Sequence, residues 1–162
     1  MRNLLIILSL CLAVGSSCTR LPDIQGTGSP IVQGVWEQQD LDTALETYTK
    51  HKFKFSCDSF YLEMEIKNKL HYFADTCSND GKRVEYAKGI YVLKEDSLFL
   101  NGVYTKENYK QKISGCFNIG SYRHNFLVLG IADENMSFRD LSNNVEGKLR
   151  RTATFDCVPQ PL

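Results

Sequence analysis

Apolar and polar side chains alternate along most of the chain beyond residue 50. Phe53 and Phe55 interleave with Lys52, Lys54 and Ser56, and Leu62, Met64 and Ile66 interleave with Glu63, Glu65 and Lys67. A period of two sends successive side chains to opposite faces of an extended strand, so both segments read as strands with one dry and one wet face. Lys67-Asn68-Lys69 reads as a tight turn. A loop of that length sets Ile66 against Leu70, Met64 against Tyr72 and Leu62 against Ala74, keeping the apolar groups on one side. In a second hairpin, Gly89 to Leu93 leads through Lys94 to Ser97 into Leu98 to Leu100, with Leu93 opposite Leu98 and Tyr91 opposite Leu100. Asn101-Gly102 then ends or bulges that strand. Further strands are expected at Ile113 to Ile119, Asn125 to Ile131, Met136 to Asp140 and Gly147 to Cys157, separated by turn-forming Gly, Asn, Asp and Ser. Helical spacing is confined to Leu41, Ala44, Leu45 and Tyr48, with Asp40 as a candidate N-cap, although Leu45, Thr47 and Thr49 equally continue a strand.

Short strands joined by hairpins, with at most one short helix, define an all-β protein. The expected architecture is an antiparallel up-and-down barrel of about eight strands, because consecutive hairpins suit closure and closure removes exposed edges. An open two-sheet sandwich satisfies the same alternation.

The beginning of the chain follows another pattern. Arg2 precedes an apolar run from Leu4 to Val14, which is followed by the small residues Gly15, Ser16 and Ser17 and then Cys18. The run is too short to span a bilayer, which takes about 20 apolar residues, and reads as a signal peptide ending at a small-residue cleavage site. Val14-Gly15-Ser16-Ser17-Cys18 resembles the lipobox of bacterial lipoproteins, with Gly15 standing where that pattern usually has Leu. The resemblance implies removal of residues 1–17 and a diacylglyceryl group on Cys18. Processing then leaves a membrane-tethered protein, since two or three acyl chains hold firmly where one does not. Residues 18–30, with Pro22, Gly26, Gly28, Ser29 and Pro30, read as a flexible spacer, and residues 31–162 as the barrel domain. Without an acidic cluster after Cys18, the expected place is the outer membrane, facing the periplasm.

Composition narrows the function. Nineteen Lys and Arg balance nineteen Asp and Glu without a long basic run, so nucleic acid has no electrostatic footprint here. Besides Cys18 the exported part holds Cys57, Cys77, Cys116 and Cys157. An even number in an oxidising compartment favours disulfides, with three connectivities open; Cys57 with Cys77 and Cys116 with Cys157 is the preferred pairing.

Gly34-Val35-Trp36, at the start of the first expected strand, resembles the Gly-x-Trp signature of lipocalins and related calycin barrels. The nearer likeness is to the small lipocalin-like lipoproteins of Gram-negative bacteria, in the run Cys57-Asp58-Ser59-Phe60-Tyr61 and the Gly89 to Gly102 hairpin. The Gly-x-Trp resemblance to lipocalins implies a Trp closing one end of the barrel beneath a last-strand Arg, whose flat guanidinium gains a cation–π contact. Arg151 shares strand parity with Leu149, Ala153 and Phe155, whereas Arg150 lies with Lys148 and Thr152, so Arg151 is the candidate partner of Trp36. The resemblance also implies a small hydrophobic ligand, lined by Phe53, Phe55, Leu62, Met64, Tyr72, Tyr91 and Leu100; the same residues would equally serve as a solid core.

Catalysis finds no support. None of the histidines, His51, His71 and His124, stands in a recognisable nucleophile–base context. No metal-ligand spacing or phosphate-binding glycine loop occurs, and no cofactor is implied. The expectation is a non-enzymatic binding protein. The alternative is an interaction or inhibitor module that uses the barrel as a scaffold and engages an envelope protein through Tyr104, Tyr109 and Tyr122, near Lys106, Lys110, Lys112 and Arg123.

Overall fold

The computed structural model describes residues 24–39, 41, 47–68, 77, 81–154 and 156–161. Eight antiparallel strands follow one another in chain order and close into a barrel. They are β1 (Gly34–Gln39), β2 (Tyr48–Ser56), β3 (Ser59–Lys67), β4 (Lys82–Lys94), β5 (Ser97–Thr105), β6 (Ser121–Ala132), β7 (Asn135–Asp140) and β8 (Val145–Ala153). β1 closes on β8 through Trp36 opposite Arg151, Glu37 opposite Arg150 and Gln38 opposite Leu149. Every strand therefore has both edges paired, as a meander requires once it has no sheet or helix to cover its rims.

The two ends of the barrel differ. At one end the turns have two residues each: Cys57-Asp58, Glu95-Asp96 and Asp133-Glu134. The first residue of each is left-handed, with φ of 56°, 56° and 52°, the twist that matches tight hairpins. A 3-10 turn, Pro30–Val32, packs at this end and buries Val32. The other end, called here the mouth, carries the described residues 41, 47, 68, 77, 81, 106–120 and 141–144.

Between the ends, inward side chains at every second position form one core. Trp36, Phe53, Phe55, Phe60, Leu62 and Phe126 are its largest fully buried members. Gly89 on β4 faces Gly102 on β5, and their neighbours across the sheet are Phe60 on β3 and Tyr122 on β6, whose rings lie 5.8 Å apart over the gap. A Cβ on Gly89 would stand 2.2 Å from the Asn101 carbonyl oxygen and 2.4 Å from Gly102 Cα. Gly89→Ala must push backbone aside, and we expect a loss near the upper end of about 1–3 kcal/mol in urea unfolding. An unchanged midpoint would show that the strands yield freely at this corner.

Several expectations are corrected. Leu62, Met64 and Ile66 do not pair with Leu70, Tyr72 and Ala74; both edges of β3 are occupied, by Phe53, His51 and Thr49 on one side and by Ala87, Glu85 and Arg83 on the other. The longer β4 offers a full-length ladder, which a short local hairpin cannot match. β5 runs through Asn101-Gly102 to Thr105. Residues 113–119 form no strand, because β5 pairs directly with Ser121 to Leu127 of β6. β8 ends at Ala153, short of Cys157. The described part of the expected spacer lies against the barrel: Gln25 N donates to Gln160 O at 2.9 Å, and Gly26 N to Asp58 Oδ2 at 2.9 Å. Of the helical reading, Leu41 lies in no helix and Tyr48 begins β2, while Asp40, Ala44 and Leu45, like Cys18, His71 and Tyr72, lie outside the described residues.

The disulfides join Cys57 to Cys157 and Cys77 to Cys116, with Cα–Cα distances of 4.8 and 5.6 Å. The expected pairing fails on geometry. Cys57 and Cys157 belong to the short-turn end and Cys77 and Cys116 to the mouth, and β3, nine residues long, separates the ends by roughly 25 Å at about 3.3 Å per residue. A bridge needs Cα atoms within about 7 Å.

Candidate functional site

Arg151, not Arg150, lies over the Trp36 indole, its guanidinium carbon 4.4 Å from the ring centroid. The indole Nε1 donates to the Val32 carbonyl at 2.8 Å, and Arg151 Nη2 donates to the Ile31 carbonyl at 2.5 Å. Trp36 is fully buried, so the pair clamps the 3-10 turn onto the barrel end. Arg150 instead reaches Glu134 at 3.9 Å on the outside.

Beside this plug, Gln33 knots the same end. Its Oε1 accepts from Cys57 N at 2.8 Å, while its Nε2 donates to the Cys57 carbonyl at 2.8 Å and to the Tyr91 hydroxyl at 2.9 Å. Gly28, at φ of 64°, passes so close that a Cβ would meet the Cys57 carbonyl at 1.8 Å. The short-turn end is thus sealed.

Phe53, Phe55, Leu62, Met64, Tyr91 and Leu100 are all buried in the central core, where Phe53 stacks on Phe55 at 5.6 Å and Phe55 meets Tyr91 edge-on at 4.9 Å. A cavity of ≈ 570 Å³ lies beyond them at the mouth, bordered by β1, β2, β6, β7 and β8 and lined by none of these six. Leu41, Tyr48, Leu129, Phe138 and Val145 supply apolar walls, and Gln38, His51 and Asp140 supply polar groups.

These polar groups are buried and ordered. Gln38 Oε1 accepts from the His51 backbone N–H and from ring Nδ1, both at 3.0 Å. A carboxamide oxygen only accepts, so Nδ1 carries the proton and Nε2 is left as an acceptor in the neutral ring. Burial among Phe53, Phe126 and Phe138 lowers the His51 pKa from 6.5 to about 4; Asp140 opposes the shift and His124 adds to it. Asp140 Oδ1 accepts from Ser142 N at 2.8 Å, Ser142 Oγ at 2.7 Å and His124 Nε2 at 2.8 Å. Burial raises the Asp140 pKa, but the Ser142 bonds and His124 outweigh it and hold the carboxyl below its ordinary value. A second buried polar group faces it across the barrel: Glu85 accepts from Arg83 Nε at 2.8 Å and Asn118 Nδ2 at 2.9 Å.

His51 makes stability depend on pH with a definite sign. Its folded pKa lies below the unfolded value, so the unfolded chain gains the proton first as pH falls. We expect stability to drop between pH 6.5 and 4, by an amount on the order of 2–3 kcal/mol. His51→Gln should flatten this interval. Asp140 acts in a different window: its contribution is present above the unfolded carboxyl value and fades only below about pH 4. A wild-type curve that is flat from pH 7 to 4.5 would refute the His51 assignment.

The three tyrosines expected at one patch separate. Tyr104 and Tyr122 meet inside the barrel at 5.4 Å, whereas Tyr109 sits outside against Tyr61 at 5.0 Å and Tyr86 at 6.0 Å. Sequence reasoning passed over Gln38, His51, Glu85, His124 and Asp140 as interior residues. Among the described residues, His, Cys, Asp and Glu form no cluster of three placed to hold a metal ion.

The protein is thus a closed eight-stranded antiparallel barrel, consistent with a calycin-type fold, sealed at one end and indented at the other. No protein-family model, curated protein or solved structure matches the chain.

Proposed function

We propose that the protein is a non-catalytic binding barrel of the bacterial cell envelope, lipid-anchored through Cys18, that takes a small, mainly apolar molecule at its mouth. The ≈ 570 Å³ cavity carries this reading: it falls in the size range of small-molecule sites and combines apolar walls with a few fixed polar groups. Those groups also bias the ligand class. His51 Nε2 and the Asp140 carboxylate both accept, so a hydroxyl or an amine is favoured at the buried end and a carboxylate is repelled. The anchor rests on the lipobox-like Val14 to Cys18, and two disulfides suit an oxidising compartment.

Native mass spectrometry of purified protein, after exposure to an envelope lipid extract, tests the binding directly. A retained small mass is expected, as is retention of dodecanol over dodecanoate by at least about tenfold, or about 1.4 kcal/mol. Protein that emerges bare from the extract and from both probes would overturn the reading. Placement at the outer membrane facing the periplasm is tested by a membrane-impermeant amine reagent on intact cells, which should label the protein only after permeabilisation.

A further inference from the structure

The outer face of β4 and β5 near the short-turn end carries apolar side chains that no part of the described chain covers. Ile90, Val92 and Phe99 are 52%, 55% and 41% exposed, and Val92 stands directly opposite Phe99. Single exposed apolar residues are ordinary; three adjoining ones on one wall make a contact surface. Lys88 and Lys94 on β4 and Arg123 on β6 rim the group, exposed and in no ion pair among the described residues. Glu95 and Asp96 lie beyond it in the hairpin turn.

The N-terminal segment meets the barrel at the edge of this same wall. Gln25 Nε2 donates to Ser59 Oγ at 2.6 Å, and Ser59 is the cross-strand partner of Ile90. Six peptide units join Cys18 to Ile24, a length that spans at most about 20 Å when fully extended. Acyl chains on Cys18 would therefore hold Ile24, which adjoins the edge of this wall, within about 20 Å of the bilayer, with the mouth at the opposite end.

We infer that the Ile90–Val92–Phe99 face rests on the lipid surface to which Cys18 is anchored. The apolar side chains enter the headgroup boundary, and Lys88, Lys94 and Arg123 meet lipid phosphates. The contact converts a loose tether into a fixed orientation that leaves the mouth on the aqueous side. It rests on the lipid-anchor part of the proposed function and is independent of the cavity's ligand.

The test uses the full mature lipoprotein carrying Val92→Trp, reconstituted into phosphatidylethanolamine–phosphatidylglycerol vesicles with brominated acyl chains. Trp36 is fully buried and supplies a constant background. The indole introduced at position 92 should lose on the order of half its emission relative to unbrominated vesicles, because interfacial insertion reaches about 5–10 Å. Phe99→Trp should behave alike, while Arg150→Trp, on β8 at the opposite wall, should keep its full emission. Protein that floats with the vesicles yet shows no quenching at 92 or 99 overturns the docked face and leaves the anchor standing. Protein that does not float overturns both. Unquenched indoles together with a doubled mass in solution assign the face to a second copy of the chain, which also overturns the proposal.

Discussion

Trp36→Ala is expected to lose about 3–5 kcal/mol in urea unfolding, the range for deleting a large buried aromatic. The indole is fully buried where β1 closes on β8, so its removal opens a void at the seam of the barrel. Three further contacts fail with it. The Val32 carbonyl loses its 2.8 Å donor, the 3-10 turn loses the surface on which it packs, and the Arg151 guanidinium loses the ring face 4.4 Å away. Trp36→Phe retains most of the apolar bulk but leaves the Val32 carbonyl unpaired, and should cost about 1–3 kcal/mol. Arg151→Met tests the stacked cation separately. Because Trp36 and Arg151 touch, the double variant should lose less than the sum of the two, by about 0.5–2 kcal/mol. Strict additivity would mean that the guanidinium and the indole act independently. A Trp36→Ala protein within about 1 kcal/mol of wild type would show that the indole does not hold the end shut.

The parity that singled out Arg151 also made most of the barrel readable. From Lys52 to Ser56 on β2 and from Leu62 to Lys67 on β3, apolar and polar residues alternate without interruption, and in the β4–β5 hairpin the register of Leu93 with Leu98 and Tyr91 with Leu100 is as expected. Two errors came from giving local turn signals more weight than long-range pairing. Asn68 does end β3, but the strand that completes the ladder begins only at Lys82, beyond a connection whose length no alternation pattern reports. Ile113 and Ile119 look like the ends of a strand and are 78% and 52% exposed in a loop, because β6 already occupies the edge of β5.

The mouth was hidden for a related reason. Interior positions there are polar, so a rule that assigns apolar residues to the inside sends them to solvent. The alternation nevertheless contains the answer. His51 continues the series of Phe53 and Phe55, Gln38 follows Trp36, His124 lies between Tyr122 and Phe126, and Asp140 completes Met136 and Phe138. Polar groups on the buried parity of several strands, all toward one end, mark a barrel whose core stops short of the rim. Their partners stand on the neighbouring strand, Gln38 on β1 for His51 on β2 and His124 on β6 for Asp140 on β7, or in the adjoining turn, as Ser142 does for Asp140.

Closure of the ring also explains why replacing Cys57 and Cys157 together with Ser should rank with the loss of Trp36. The bridge spans 100 residues and ties the β2–β3 turn to the segment after β8, so it encloses every strand from β3 to β8. Constraining a loop of that size removes unfolded-chain entropy worth about 4–5 kcal/mol in the chain-entropy description. Cys77–Cys116, with a separation of 39, is worth about 4 kcal/mol on the same reckoning, so the two bridges are nearly equal in the unfolded chain. They differ in the native state. Cys57 sits within the Gln33–Tyr91 hydrogen-bond knot at the sealed end, where among the described residues no other cross-link secures the tail beyond Ala153. Cys57→Ser/Cys157→Ser should therefore lower stability by about 4–5 kcal/mol and raise the unfolding rate. Cys77→Ser/Cys116→Ser, which frees loops around the mouth, should in addition change ligand retention there. Proteolysis without reductant gives an independent check, since it must release a peptide pair joining Cys57 to Cys157. A pair joining Cys57 to Cys77 would place a bridge between opposite ends of the barrel, and the closed eight-stranded arrangement could not accommodate it.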